Sequence, residues 1–232
     1  MDIASIHAKN IPLFNGISSD ELETMLLCLD AKTAYYRKGS YILMAGEALR
    51  HVGIVLKGQA TVYKTDLLGN RSVLTALTPP HLFAETFVCA GLETSPVTVE
   101  ATADTQILLI SFSRIMHTCT SCCSHHSEMI VNMLRIVAQK NIKLGEKLDH
   151  IARKTTRQKL ASYLMDQATH KNSRRFNVDL DRQALADYLC VNRSALSREL
   201  SRMSEVGAVD FQRNSFFIKD PELLEEMLLQ EK

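Results

Sequence analysis

Two arginines and two serines, Arg193, Ser194, Ser197 and Arg198, lie in a stretch where apolar residues recur at helical spacing. On a helix, positions 193 and 194 share one turn and positions 197 and 198 lie on the next, so the four side chains form one outward patch. An arginine can donate paired hydrogen bonds to guanine O6 and N7, which discriminates between bases by ~1–3 kcal/mol. A single surface arginine is ordinarily just solvated. This set at these offsets instead predicts a surface that reads base edges in duplex DNA, with Arg198 the first candidate for guanine.

Four further polar residues near this patch are candidates for contacts with DNA phosphates, namely Arg182, Gln183, Arg202 and Arg213. Such contacts add affinity and salt dependence but carry no sequence information. The charge distribution agrees, because residues 150–219 hold 13 Lys and Arg against 7 Asp and Glu, whereas the whole chain has a net charge of +1. A polyanion would therefore meet its attractive surface in this segment.

Two short helices joined by a tight turn would position these side chains. Asp181 and Asn192 can cap them, which leaves only Cys190 and Val191 to turn the corner. Helices joined so closely cross at a large angle, so the second can enter a groove while the first braces it. A β-hairpin predicted over residues 209–218 adds a wing. An ordinary three-helix core is the alternative, and the coincident basic charge favours a winged helix-turn-helix.

A long helix is predicted after residue 112, and seven of its residues recur at intervals of 4, 3, 4, 3, 4 and 3. This is the heptad pattern of a two-stranded coiled coil, in which the polar Asn141 would help to fix the register. Met129, Met133 and Ile136 widen the apolar face, so we expect the helix both to pack on its own domain and to form a parallel dimer. The predicted dimer seam consists of Ile130, Leu134, Val137, Asn141, Leu144, Leu148 and Ile151.

The first half of the chain shows a different pattern. Seven of the nine glycines lie at or before Gly91, and short β-branched or alternating runs separate them. This spacing of turns predicts a many-stranded antiparallel barrel or sandwich. The sequence Ser18-Ser19-Asp20-Glu21 is a capping box, so a short helix should precede the strands.

Three cysteines, Cys119, Cys122 and Cys123, cluster among histidines before the long helix. If this stretch is helical, Cys119 and Cys123 share a face, where they could bind a metal ion or form a disulfide after local adjustment. The spacing matches no established zinc pattern, and partly buried thiols are the ordinary alternative. The three cysteines are thus a candidate metal or redox site.

Composition narrows the class of protein. The chain has 232 residues, 46% hydrophobic and 23% charged, as in ordinary globular proteins. No apolar run approaches the ~18 residues of a membrane span, and no signal-like segment opens the chain. Six cysteines are too few for a secreted disulfide framework, so we expect a cytoplasmic location and no membrane partner.

The order of turn-rich β domain, long helix, helix-turn-helix and wing resembles the Crp/Fnr family of bacterial transcription regulators over nearly the whole chain. The segments 182–189 and 192–198 are the most specific part, because they resemble the two DNA-reading helices of that family. Cys190 stands where the family commonly has a small residue, often glycine.

The resemblance implies an α+β fold in three parts. An N-terminal antiparallel β-roll or jelly-roll sensor domain would span 1–120, a long dimerisation helix 121–153, and a C-terminal winged helix-turn-helix 154–232. It also implies a homodimer that binds inverted repeats in double-stranded DNA through residues 193, 194, 197 and 198. RNA polymerase is a further candidate partner.

Cyclic-nucleotide-binding members of the family carry a Gly-Glu-x cassette, followed about ten residues later by an arginine that neutralises the phosphate. Here the corresponding stretch begins at Ala84, and Ser95 stands where the arginine is needed. A buried phosphate without a cationic partner would be costly, so a cyclic nucleotide is not expected. Glu85, Thr86 and Ser95 remain candidates to line a pocket for an unidentified small-molecule effector, or the element is merely structural.

The residues that other sensor types of the family use do not identify the signal that this chain senses. The iron–sulfur members use a cysteine-rich N-terminal extension, and this chain has no cysteine before Cys28. The family also has haem-binding members, and His7, His51, His81 and the methionines are candidate ligands, but a lone histidine is more often an ordinary hydrogen-bonded residue. We find no catalytic motif and predict that the protein is not an enzyme. The alternative function is a dimeric sensor of a small ligand or metal whose winged domain binds protein.

Overall fold

The computed structural model of the protein describes residues 10–116 and 124–229. Contacts between Cα atoms divide the chain into two units, Met1–Gln139 and Lys140–Lys232. Each unit has its own buried apolar residues.

Antiparallel strands form most of the N-terminal unit. They are β1 (Lys32–Tyr36), β2 (Tyr41–Leu43), β3 (His51–Lys57), β4 (Ala60–Thr65), β5 (Arg71–Leu77), β6 (Leu82–Phe83), β7 (Thr98–Ala101) and β8 (Thr105–Ser111). One sheet has the order β1-β8-β3-β6 and the other β2-β7-β4-β5. Val55, Val62, Val99 and Ile107, from four strands of the two sheets, lie in one buried cluster. The predicted antiparallel β domain is confirmed.

The helices of this unit are α1 (Ser19–Cys28), α2 (Glu85–Cys89), α3 (Phe112–Met116) and the first part of α4 (Ser124–Ala152). The predicted capping box begins α1, where the Ser18 N–H donates to Glu21 Oε2 at 2.9 Å. Met129, Met133 and Ile136 of α4 are buried in the same cluster as the apolar face of α1. These three residues therefore pack on their own domain, as their spacing predicts.

The C-terminal unit contains the rest of α4 and a small mixed domain. Its elements are α5 (Thr156–His170), β9 (Arg175–Asn177), α6 (Arg182–Tyr188), α7 (Arg193–Glu205), β10 (Val209–Gln212), β11 (Ser215–Ile218) and α8 (Pro221–Leu229). The strands form a three-stranded sheet in the order β10-β11-β9. One core cluster includes Leu164, Leu185, Leu196 and Phe216. The predicted winged helix-turn-helix is confirmed, with α6 and α7 as its two helices.

Within the described ranges, no helix combines the length and the apolar character that crossing a membrane requires.

Candidate nucleic-acid interface

The corner between α6 and α7 is built from local hydrogen bonds. Asp181 caps α6, since its Oδ1 accepts from the Ala184 N–H at 2.8 Å. Cys190 turns the chain in the left-handed region, with φ of 52°, and the Val191 N–H then donates to the carbonyl of Ala186 at 2.9 Å. Asn192 is the N-cap residue of α7, although its side chain makes no capping hydrogen bond. The corner thus closes without glycine.

The start of α7 has a sharp division between buried and exposed residues. Leu196 and Leu200 are fully buried in the core of the unit. Arg193, Ser194 and Arg198 are exposed, and Ser197 is half-buried. The structure therefore places the four predicted base-reading residues on the side of α7 that faces away from the core, as their helical spacing requires.

Arg182 connects α6 to the wing. Its guanidinium lies 5.1 Å from the ring centroid of Phe211 and 5.7 Å from that of Phe216, distances at which cation–π attraction acts. Its Nη2 also donates to the carbonyl of Arg213 at 3.1 Å. Burial lowers the pKa of the Arg182 guanidinium, with repulsion from Arg193 as the smaller cause. Arg182 is thus partly engaged in holding the wing.

An open cleft of about 350 Å³ lies where α6 begins, where α7 begins and at the tip of the wing. Three arginines line it, opposed by the single carboxylate of Asp181. Such a cleft attracts an anion such as a phosphate group. The other lining residues are Arg182, Gln183, Arg193, Arg213 and Asn214.

Two of the predicted DNA contacts lie further along α7 and do not line this cleft. Arg198 and Arg202 are both exposed on α7, and Arg202 Nη1 donates to Glu199 Oε2 at 3.3 Å. Gln183, which does line the cleft, donates from Nε2 to Asp187 Oδ1 at 2.8 Å. The structure thus brings three of the predicted phosphate contacts together and leaves the fourth further along α7.

Glu199 and Arg157 are joined to this surface through Arg202, and no motif in the sequence predicts a role for either. The buried carboxylate of Glu199 accepts from Arg157 Nε of α5 and from Arg202 one turn further along α7. The spacing of Glu199 and Arg202 could have indicated an ion pair. Nothing in the sequence links Arg157 to a residue 42 positions away.

The seven residues of the predicted dimer seam fall into an exposed group and a half-buried group. Leu134 is 65% exposed, Leu144 is 56% exposed and Leu148 is 53% exposed. Asn141 is also exposed, whereas the other three members of the seam are half-buried; these are Ile130, Val137 and Ile151. α4 therefore presents apolar side chains that the described residues leave largely exposed.

The candidate effector residues make hydrogen bonds to near neighbours in the chain. Glu85 is buried, with 2% of its surface exposed, and its Oε1 accepts from the Thr86 hydroxyl at 3.0 Å. Ser95 is equally buried, but its hydroxyl donates to the carbonyl of Val97 at 2.7 Å. Ala84 has φ of 66°, so this loop adopts a left-handed conformation without glycine. The candidate metal or redox residues Cys119, Cys122 and Cys123 lie outside the described residues.

Comparison with known proteins gives two family matches. Residues 158–227 match the Crp-like helix-turn-helix domain, and residues 33–121 match the cyclic nucleotide-binding domain. Together these matches span more than half of the chain.

Individual relatives agree with these matches. The transcriptional activator protein FnrL of Cereibacter sphaeroides is 26% identical over 227 residues, which cover 90% of this chain and 84% of that protein. The cyclic AMP receptor protein of Thermus thermophilus is 23% identical, covering 94% and 97%. A CooA mutant from Carboxydothermus hydrogenoformans has the same fold, with a TM-score of 0.61 at 17% identity, covering 87% of this chain and 89% of that one. The chain belongs to the Crp/Fnr family of transcription regulators, with a helix-turn-helix DNA-binding domain at its C-terminal end.

Proposed function

We propose that this regulator is a homodimer that binds an inverted repeat in double-stranded DNA and reads it with the four residues at the start of α7. The observation that carries the proposal is their placement, because Arg193, Ser194, Ser197 and Arg198 lie outward while Leu196 beneath them is buried. Such an arrangement lets a helix enter the major groove with its polar side chains toward the base edges.

The roles of the arginines follow from their partners. Arg198 lies one turn into α7 and binds a base, whereas Arg193 lines the cleft beside the wing and serves both a base and a phosphate. Gln183 and Arg213 contact phosphates from the same cleft. Arg182 and Arg202 contact phosphates while they keep their bonds within the protein. We expect log K to fall steeply with log salt concentration, since each phosphate contact contributes a slope of about 0.9.

A second copy of the chain covers the exposed apolar side chains of α4. Burying a leucine that is otherwise in water is worth about 1.5–3 kcal/mol, and Leu134, Leu144 and Leu148 are all more than half exposed. Their heptad spacing, with Asn141 between them, suits a parallel pair of helices. Dimer formation would place two copies of α7 against the two half-sites of one operator.

The signal that controls this dimer is not a cyclic nucleotide. Ser95 replaces the arginine that would neutralise the cyclic phosphate, and its hydroxyl is already bonded to Val97. The buried carboxylate of Glu85 nearby in the sequence would repel an unneutralised anion. We propose another small molecule at Glu85, Thr86 and Ser95, or a redox or metal signal at Cys119, Cys122 and Cys123.

Selection from a pool of randomised duplexes, followed by a salt titration on the selected sequence, tests the proposal. We expect an inverted repeat and a steep salt dependence. A shallow salt dependence without sequence preference would contradict it and would favour a winged domain that binds protein. Native mass spectrometry of protein purified without oxygen would show a bound metal or small molecule as added mass, and titration with cyclic AMP should leave the thermal unfolding temperature unchanged.

A further inference from the structure

A buried histidine connects three helices of the C-terminal unit. His150 lies in the last turn of α4 and is 2% exposed. Its Nε2 is 2.8 Å from Asp166 Oδ2 on α5, and its Nδ1 is 3.2 Å from the Tyr188 hydroxyl at the end of α6. A carboxylate only accepts, so Nε2 carries a proton, and in the neutral imidazole Nδ1 accepts from Tyr188. One ring thereby fixes α4 to both α5 and α6.

Aromatic packing reinforces these hydrogen bonds. The ring of His150 lies edge-on to Tyr163, with centroids 5.5 Å apart, and Tyr163 lies 5.4 Å from Tyr188. Burial raises the pKa of both tyrosines, so both hydroxyls remain protonated near neutral pH. Lys147, one turn before His150, places its ammonium 5.2 Å from the centroid of the Tyr188 ring. We call the hydrogen-bonded set His150, Asp166 and Tyr188 the His150 joint.

The same stretch of α4 carries the exposed part of the dimer seam. Leu144 and Leu148 are more than half exposed, although His150, two residues beyond Leu148, is fully buried. In the C-terminal unit, one side of α4 is thus exposed and open to a second copy of the chain, and another side contacts α5 and α6. Because Leu185 and Ala186 of α6 are buried in one cluster with Leu196 of α7, the position of α6 also determines that of α7.

We propose that the His150 joint sets the spacing between half-sites that the regulator accepts. This inference rests on the proposed function, since it needs a dimer that reads an inverted repeat. Each added base pair shifts a half-site by about 3.4 Å and turns it by about 35°. A joint that holds α6 at one angle to the seam therefore favours one spacer length. His150, Asp166 and Tyr188 are positioning residues, because they act on DNA through α6 and α7.

The test uses the full-length protein and operators that share the selected half-site but differ in spacer length by single base pairs. Tyr188→Phe removes one hydroxyl from the joint and keeps the ring. Asp166→Ala removes the other partner at a side chain that is 45% exposed, so it provides a second variant that should fold. For each we expect the affinity ratio between the preferred spacer and a spacer one base pair longer or shorter to fall about fivefold, the equivalent of one hydrogen bond. The base preference within a half-site should not change.

Two controls separate positioning from simple stability. Tyr163→Phe makes the same chemical change in a neighbouring ring whose hydroxyl has no hydrogen bond to His150 in the described structure, so the spacer ratio should stay at the wild-type value. Val209→Ala removes buried atoms of the wing core far from the joint in sequence, and should weaken binding to all spacers equally. If Tyr188→Phe and Asp166→Ala also weaken all spacers equally, the joint only stabilises the fold and the inference is wrong. If the wild-type protein shows no preference for an inverted repeat, the proposed function itself fails.

Discussion

Replacing Arg182 by lysine separates two roles that one side chain combines. Arg182 bears a positive charge beside the candidate phosphate-binding cleft, and it also holds the wing through Phe211, Phe216 and the carbonyl of Arg213. Lysine keeps the charge but lacks the planar, forked guanidinium that stacks on a ring while it donates to a carbonyl. Arg182→Lys should therefore loosen the wing and leave the phosphate contact largely intact.

The contacts give the size of the effect. Two cation–π contacts contribute about 0.5–1 kcal/mol each, and a hydrogen bond from a charged donor contributes about 1.5–3 kcal/mol. Lysine retains part of the aromatic contact, so we expect Arg182→Lys to lower the free energy of unfolding by about 2 kcal/mol. Arg174→Lys is the matched control, because Arg174 is exposed in the same unit and its replacement should change stability by less than about 0.5 kcal/mol.

Two assays on the full-length protein test this reasoning. Urea unfolding followed by circular dichroism measures stability, and a salt titration of DNA binding counts phosphate contacts. Arg182→Lys should keep the wild-type salt slope, whereas Arg182→Gln should reduce it by about 1.8, which is about 0.9 for each half of a dimer. Wild-type stability in Arg182→Lys, or a wild-type slope in Arg182→Gln, would refute the corresponding role.

Three further changes test other parts of the molecule. Arg198→Ala should abolish base preference at one position of each half-site, at a cost of about 1–3 kcal/mol per contact, and should leave the dimer intact in analytical ultracentrifugation; wild-type specificity in a binding selection would contradict its role. Leu144→Glu should weaken dimerisation and DNA affinity together, because it places a charge in the seam, and an unchanged sedimentation coefficient would exclude the seam as the interface. Cys190→Gly should raise the urea midpoint, because it relieves a left-handed conformation that costs an L-residue about 1–2 kcal/mol, against an entropy loss of about 0.4–1 kcal/mol. Cys190→Ala retains that conformational cost and should give no such gain.

Local patterns predicted the elements whose determinants lie close together in the chain. The capping box of α1, the spacing within α7 and the residues of the corner all act over a few positions, so α1, α6 and α7 could be placed from sequence. Strand β1 was not predicted, because its identity depends on pairing with β8, with Lys32 opposite Leu109. β9 was missed for the same reason, since only three residues pair it to β11. For α8 a signal was present, because Pro221 opens an amphipathic run and proline favours the first turn of a helix.

In the candidate site too, features set by nearby residues could be predicted, and contacts between distant residues could not. Helical periodicity was sufficient to decide which side of α7 carries Arg198 and which carries Leu196. It could not show that Arg182 packs on aromatic rings of the wing, about thirty residues away, or that His150 meets Tyr188 38 residues further on. These contacts depend on tertiary packing, which brings together side chains that have no fixed spacing in the sequence.

Paired hydrogen bonds to a base require that the reading helix be held at one depth and one rotation. Arg198 and Glu199 are neighbours in the chain and face in different directions, because successive residues of a helix are about 100° apart. The buried carboxylate of Glu199 is bonded to Arg157 of α5, so a rotation of α7 that moved Arg198 off the base it is proposed to read would also break an ion pair. The side chain of Glu199 is 9% exposed and that of Arg157 is 38% exposed, so solvent partly screens the pair, but breaking it leaves the buried carboxylate less compensated. The pair therefore resists rotation of α7 about its own axis, while the wing contacts of Arg182 and the hydrogen bond of Tyr188 to His150 hold the two ends of α6.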